Sequence, residues 1–271
     1  MCRKRALVAT VLAPAVLLMA SGAFAADAPK PAPEAVAPKP VKASPQQRAE
    51  ARRLDPLARA AFWGAEFETD PADAEAGAGL AQALRGLGRN DDAVETATKA
   101  LIAHPDDTTL LLELARAHVA RGQGFYAIEP ARKAAALAPK DWRPLTLLAV
   151  AYEQAQRDDE ADAAHRQALA LAPTEATPLA NYAMHLAAKG DLPGAEAQLR
   201  RAVALPSAGI QVRQNLALVV GLQGRLPEAE KLARADLPPE QVDNNLAYLR
   251  AAIGHAGSGR SWDALKSGGG Q

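Results

Sequence analysis

Histidines are the side chains of this protein that could do the widest range of chemistry, because they can ligate metals and transfer protons near neutral pH. They are His104, His118, His165, His185 and His255. No two of them have the i, i+4 spacing that would place both on one face of a helix. His118 and His165 are expected to face neighbouring helices, which favours a buried structural role over a ligand role. The sequence therefore predicts no metal site and no cofactor.

The carboxylate and nucleophilic side chains are not spaced as in any known catalytic motif. Asp91-Asp92, Asp106-Asp107 and Asp158-Asp159 lie where turns and helix starts are expected, a position that favours a negative charge. Cys2 is the single cysteine, and it lies in a segment expected to be removed, so no disulfide is predicted. There is no GxSxG motif and no P-loop. Gly77-Ala78-Gly79 falls within a predicted helix and indicates a close helix contact. We therefore expect no catalytic residues and no enzymatic activity.

Prolines at a fixed interval show how the chain is organised. The prolines that follow one another at intervals of 34 residues are Pro71, Pro105, Pro139 and Pro173. This interval is the period of the tetratricopeptide repeat, a unit of two helices. In the unit 142–173, apolar residues recur at helical spacing on both sides of a polar turn at 156–159. The closing proline ends the second helix because it has no amide hydrogen to donate.

The same pattern extends over residues 74–236, which we assign to five repeats. In four of them a glycine stands where the first helix must end, since glycine adopts the left-handed conformation without strain. These glycines are Gly88, Gly122, Gly190 and Gly224. The end units must cover an open face of the stack. We therefore assign 46–73, split at Asp55-Pro56, to an N-terminal capping or degenerate repeat and 237–253 to a C-terminal capping helix. The predicted fold is all-α, a right-handed α-solenoid of tetratricopeptide repeats with terminal capping helices.

Pro130 departs from this pattern, because it falls several residues into the second helix of its unit. A proline inside a helix costs about 3 kcal/mol and bends the helix. We therefore expect either a kink at Pro130 or a helix that starts late.

The two ends of the chain differ in composition from the repeats. Residues 1–25 combine a basic start, an apolar stretch and Ala23-Phe24-Ala25, which is typical of a signal peptide cleaved before Ala26. An uncleaved membrane anchor is the alternative. Residues 26–45 are rich in Pro and Ala and predict an extended linker, whereas 254–271 are rich in Gly and Ser and predict a disordered tail. We expect an exported, periplasmic protein, with peripheral association with the outer membrane left open.

The charge balance and the predicted fold together indicate the class of partner. Lys+Arg and Asp+Glu each number 31, so no overall charge attracts nucleic acid or an anionic membrane. In stacked helical hairpins the first helices line the concave face, where we expect another protein, and no small-molecule substrate, to bind. The alternative is that polar residues there only interact with solvent. The candidate partner-binding residues on this face are Gln82, Arg85, Glu113, Arg116, Arg143, Glu153, Asn181, Gln214 and Asn215.

The last repeat and the segment after it carry a more specific pattern. It comprises Arg213–Leu218, Gly221–Arg225, Glu228–Glu230, Ala233–Pro239 and Asn245–Arg250. This run resembles the C-terminal part of TadD proteins, the tetratricopeptide component of tight-adherence (Flp) pilus assembly systems. The resemblance implies an exported assembly factor, usually a lipoprotein at the outer membrane, that helps the secretin channel or other pilus components to localise. The chain departs from the family pattern because no lipobox cysteine follows its apolar stretch.

Two other functions are compatible with a repeat array. One is a general periplasmic adaptor, for example in envelope assembly or cytochrome maturation. The other is an accessory or regulatory domain of an enzyme complex, which is less favoured because the sequence shows no catalytic module.

Overall fold

The structure is a computed structural model that describes residues 42–256, and these residues belong to one compact unit. Within this range the chain forms thirteen α-helices and no strand, which confirms the all-α prediction. The helices are α1 (Pro45–Ala51), α2 (Pro56–Thr69), α3 (Ala74–Gly86), α4 (Asn90–Ala103), α5 (Thr108–Ala120), α6 (Gly124–Leu137), α7 (Trp142–Gln154), α8 (Asp158–Leu171), α9 (Ala176–Ala188), α10 (Leu192–Val203), α11 (Ile210–Leu222), α12 (Leu226–Ala233) and α13 (Pro239–Ala256). The predicted signal peptide and most of the predicted linker and tail lie outside the described residues.

Five helical hairpins make up the array. Repeats 1 to 5 are the pairs α3–α4, α5–α6, α7–α8, α9–α10 and α11–α12, and each helix begins 34 residues after its counterpart in the preceding repeat. In each hairpin the first helix packs against the second, and each second helix packs against the first helix of the next repeat. The 34-residue interval between the prolines is therefore also the interval between corresponding helices of successive repeats.

The turn inside each repeat uses the left-handed conformation. The four glycines predicted for this position have φ angles between +69° and +88°. The residue after each glycine donates its amide hydrogen to a carbonyl near the end of the first helix, for example Arg89 to Leu84 at 2.9 Å. This bond satisfies a carbonyl that the end of a helix leaves free. Gln156 occupies the same position in repeat 3, with a φ of 57°.

Small residues fill most of the space between the helices. In α6, Ala127, Ala131 and Ala134 have no exposed surface, and the matching alanines of the other second helices are equally buried. Gly77 and Gly79 lie on α3, where an added Cβ would come within 2.6 Å of Ala100 Cβ and 2.5 Å of the Trp63 ring, respectively. The close helix contact predicted at these glycines is confirmed. Small side chains allow the helices to approach closely, and dispersion forces then stabilise the packed surfaces.

The N-terminal helices cover the open end of repeat 1. Trp63 and Phe67 of α2 are buried, and Arg48 of α1 is buried beside them. The Arg48 guanidinium binds Glu66 at 2.5 Å and Asp73 at 2.8 Å. Burial acts to raise the pKa of the Asp73 carboxyl, but the hydrogen bonds from Arg48, the Ala76 amide and Lys42 together outweigh it and hold that pKa well below its usual range. This ion-pair cluster fixes α1 to the start of repeat 1.

Two predictions about helix bounds need correction. α6 begins at Gly124, in register with α4 and α8, and continues through Pro130, so the expected late start is wrong. Proline removes the hydrogen bond to the carbonyl of Tyr126, but the helix continues past it and the ring is buried. α13 begins at Pro239 and extends to Ala256, so its last turn includes residues assigned to the tail. None of the helices in the range 42–256 combines the length and apolar character needed to cross a bilayer.

Candidate functional site

The face formed by the first helices is the candidate binding surface. α3, α5, α7 and α9 each pack against the next first helix in the series, and α11, the last of them, packs against α13. Over residues 42–256, second helices of neighbouring repeats show no packing of this extent. The first helices are therefore closer together than the second helices, which places them on the inner side of the array.

Three of the predicted residues form one ion-pair cluster between repeats 1 and 2. Glu113 is almost fully buried on α5 and accepts hydrogen bonds from Arg85 of α3 at 3.3 Å and from Arg116 at 2.5 Å. Because a buried carboxylate is costly without a partner, these arginines have a structural role whether or not they bind another protein. Both arginine side chains keep about a third of their surface exposed. Gln82 is exposed on α3.

Arg143 lies apart from this cluster. Its side chain is exposed and folds back onto Asp141, the residue that caps the start of α7, with Nη2 at 2.7 Å from the carboxylate. The hydrogen bond from Arg143 lowers the pKa of the Asp141 carboxyl. Arg143 therefore stabilises the start of repeat 3 and is turned toward its own cap.

Glu153 makes contacts that the sequence analysis did not predict. One carboxylate oxygen, Oε1, lies 2.8 Å from His165 Nε2 of α8 and 2.9 Å from His185 Nδ1 of α9. Both imidazoles are almost completely buried, so the predicted burial of His165 is confirmed. His118 is half-buried and stacks on Tyr126, and burial lowers its pKa. Asn181, on the same helix as His185, is half-buried.

The repeat register contained a signal for this cluster. At the position of His165 the other repeats hold Ala97, Ala131, Leu199 and Ala233. At the position of His185 they hold Ala83, Ala117, Ala151 and Val219. All of these counterparts are buried and apolar. The i, i+4 rule examines one helix at a time, so it missed two histidines that lie on adjacent helices.

The remaining two predicted residues border a cavity at the C-terminal end of the array. Gln214 and Asn215 line a cavity of about 260 Å³ between α11, α12 and α13. Gln214 donates to Asp236 at 3.4 Å, and Gln211 donates to Asn215 at 3.0 Å. Asp236 also binds the Arg213 guanidinium through two hydrogen bonds. The hydrogen bond from Arg213 lowers the pKa of the Asp236 carboxyl, which keeps it ionised.

Family models that describe a tetratricopeptide repeat match residues 74–117 and 145–179. The fold is a tetratricopeptide-repeat solenoid. Solved structures of this class are similar to the chain. A tetratricopeptide repeat protein from Parabacteroides merdae ATCC 43184 has a TM-score of 0.60 at 17% identity, with 81% of this chain and 88% of that chain covered.

Two further solved structures share the fold. A thermophilic tetratricopeptide protein of Thermus thermophilus has a TM-score of 0.56 at 22% identity and covers 65% of this chain and 94% of its own. MamA from Desulfovibrio magneticus RS-1 has a TM-score of 0.51 at 21% identity, with 59% of this chain and 91% of that chain covered. At these identities the likeness concerns the fold alone. No curated protein matches the sequence.

The tetratricopeptide solenoid implies a protein–protein interaction scaffold, because its stacked first helices present a continuous surface to another polypeptide. Proteins built from these repeats are generally non-catalytic.

Proposed function

We propose that this chain is a non-catalytic scaffold in the assembly of a tight-adherence (Flp) pilus. The observation that carries the proposal is where the TadD-like run lies in the fold. The resemblance to TadD proteins is sharpest over Gln211–Arg250. These residues form nearly all of α11, all of α12 and most of α13, and they supply every residue that lines the C-terminal cavity. The segment that resembles the pilus assembly family is therefore also the segment that forms this cavity.

The chemistry of this cavity suits a peptide. Its walls are mostly apolar, with Leu218, Val242, Leu246 and Leu249 among the lining residues, and its rim carries side-chain amides. An apolar side chain of a partner helix or extended segment would enter the cavity, and the rim amides would bond to the partner's backbone. Tyr248 stands half exposed at the edge, where an aromatic ring adds contact area with little loss of entropy.

The proposed place of action follows from the sequence. The N-terminal segment is typical of an export signal, and the family resemblance implies a role beside the outer-membrane secretin. The partner is accordingly a pilus assembly component, with the secretin as the first candidate. The protein would be periplasmic and peripheral to the outer membrane.

Site-specific photo-crosslinking in cells tests this proposal. A photoreactive amino acid replaces Gln211, which is exposed at the cavity rim, and in a matched strain it replaces Glu129, which is exposed on the second helix of repeat 2. We expect capture of a pilus component or the secretin at position 211 and not at 129. Equal capture at both positions would contradict a specific role for the cavity.

The identity of the captured proteins separates the proposal from its alternative. Reproducible capture at position 211 of envelope or cytochrome assembly proteins, with no pilus component, would favour a general periplasmic adaptor. A deletion strain with a normal number of surface pili would also contradict the pilus proposal.

A further inference from the structure

The boundary between repeats 3 and 4 differs in kind from the other boundaries in the array. At the two buried positions that His165 and His185 occupy here, the other repeats hold alanine, leucine or valine. The contact between α7 and α9 is also the smallest between successive first helices of the five repeats. Apolar packing is therefore replaced at this boundary by three side chains with metal-ligating atoms.

The donor atoms of these side chains already converge. Glu153 Oε1, His165 Nε2 and His185 Nδ1 come from α7, α8 and α9, and a ligand atom of each residue lies within 4.8 Å of the others. A tetrahedral ion with bonds of about 2.1 Å holds its ligand atoms about 3.4 Å apart. The carboxylate, now 2.8 and 2.9 Å from the two nitrogens, would need to retreat by roughly 0.5 Å to admit an ion.

We propose that Glu153, His165 and His185 form a binding site for a divalent transition metal ion of the zinc class. Two neutral imidazoles and one carboxylate are a donor set that suits Zn²⁺ and leaves at least one coordination position open. Binding replaces the two imidazole–carboxylate hydrogen bonds with bonds to the metal. In each ring the metal takes the nitrogen that now faces Glu153, and the proton resides on the other nitrogen.

Solvent reaches the site through a surface cavity. The histidines are buried, but the Glu153 side chain is 32% exposed. It opens, together with His185, into a surface cavity of about 550 Å³ that is also lined by Gln154, Gln156 and Asp158. A metal ion can therefore enter by this route, and its open coordination position faces the cavity.

The surroundings of the two rings set the expected strength of binding. His165 Nδ1 and His185 Nε2, the nitrogens turned away from Glu153, are buried and have no hydrogen-bond partner among the described residues. Tight zinc sites supply such an acceptor, and its loss lowers metal affinity by about 10- to 100-fold. We therefore expect affinity weaker by this factor than that of a fully supported site.

A bound ion would join repeat 3 to repeat 4. The ligands come from both helices of repeat 3 and from the first helix of repeat 4, so the ion would bridge the boundary where direct helix packing is smallest. The relative orientation of these two repeats determines how the first helices of repeats 1 to 3 are aligned with those of repeats 4 and 5. Metal binding would therefore stiffen the scaffold at its centre.

Zinc titration of the metal-free full chain against a chromophoric chelator tests this site. We expect one Zn²⁺ per chain and a rise in thermal midpoint with zinc, because a ligand that binds only the folded state stabilises it. The double variant His165→Ala/His185→Ala carries alanine, as most other repeats do at these positions, and circular dichroism verifies its fold. We expect it to lose at least 100-fold in affinity together with the zinc-dependent rise.

His118→Ala is the matched control, since it removes another partly buried histidine outside the cluster, and it should bind zinc as the natural chain does. Glu153→Gln keeps the size and a carbonyl oxygen but removes the charge, so we expect a smaller loss than in the double variant. Two results would overturn the proposal: failure of the natural chain to bind zinc, or equal zinc binding by the double variant.

Discussion

Gln156 occupies in repeat 3 the backbone position that Gly122 occupies in repeat 2. Both residues have left-handed φ angles, 57° and 69°, and both end the first helix of their hairpin. A side chain in this conformation costs about 1 kcal/mol relative to glycine. Gln156 recovers part of that cost because its Nε2 donates to the Glu153 carbonyl at 3.2 Å. We predict that Gln156→Gly stabilises the protein by about 0.5 kcal/mol, measured as a higher thermal midpoint.

The reverse substitution has a control with the same steric surroundings. Gly122 and Gly209 both have open space where a Cβ would lie, but only Gly122 has a positive φ. We predict that Gly122→Ala destabilises the fold by about 1 kcal/mol, whereas Gly209→Ala has a much smaller effect. Equal midpoints for the two variants would show that backbone conformation is not the reason for glycine at this turn.

Gly79 is required for a different reason, because the indole ring of Trp63 packs directly against its backbone. A Cβ at Gly79 would lie 2.5 Å from the indole ring of Trp63, a buried side chain with little freedom to move. We predict that Gly79→Ala destabilises the N-terminal cap by about 1–3 kcal/mol, as overpacking does elsewhere. Tryptophan fluorescence during denaturation would report an earlier transition for the cap.

Gly64→Ala is the matched control on the neighbouring helix. Its nearest neighbour would be Leu80 at 3.8 Å, an ordinary contact. Since alanine favours helix more than glycine does, we predict a small stabilisation there. A loss of stability similar to that of Gly79→Ala would indicate a general intolerance of the cap to substitution.

Local features of the fold could be predicted from the sequence, and contacts between distant side chains could not. The 34-residue interval and the turn glycines can be read directly along the chain, without knowing which side chains meet, so they predicted the five repeats. The pairing of Arg85 with Glu113 depends on which rotamers two helices adopt, and periodicity does not determine rotamers. The contact of His165 with His185 would have required comparison of each position across all repeats.

Glu196 gives a prediction about pH. The hydrogen bond from Arg225 lowers the pKa of the Glu196 carboxyl from 4.5 to about 2, with smaller contributions from Gln223 and Arg200. A carboxyl with a depressed pKa contributes stability above its unfolded pKa, and this contribution is lost as the pH falls from about 4.5 to about 2. Since the arginines are partly exposed, we expect a contribution of about 1 kcal/mol.

Comparison of Glu196→Gln with the natural chain measures this contribution. We predict a lower thermal midpoint for the variant at about pH 7 and convergence of the two midpoints below about pH 3. Glu230→Gln removes a partly exposed partner of Arg234 four residues further along the chain and should change the midpoint less. A difference for Glu196→Gln that persists unchanged at about pH 2.5 would contradict an ionic origin.

Leu218 tests the cavity as a binding site. It is half-buried in α11 and lines the cavity beside Gln214 and Asn215. Glutamate at this position would place a charge in the apolar pocket, where a partner's side chain would have to remove its hydration. We predict that Leu218→Glu lowers partner capture by photo-crosslinking at position 211 by at least about tenfold, the equivalent of about 1.4 kcal/mol.

Leu171→Glu is the control for added charge, because Leu171 is 42% exposed on the second helix of repeat 3. It should leave capture unchanged, and the thermal midpoints of both variants would verify that each is folded. If Leu218→Glu remains folded and captures the partner as the natural chain does, the cavity is not the binding site. Since the Arg85 and Arg116 side chains are partly exposed on the face formed by the first helices, we would then expect the partner to bind at repeats 1 and 2.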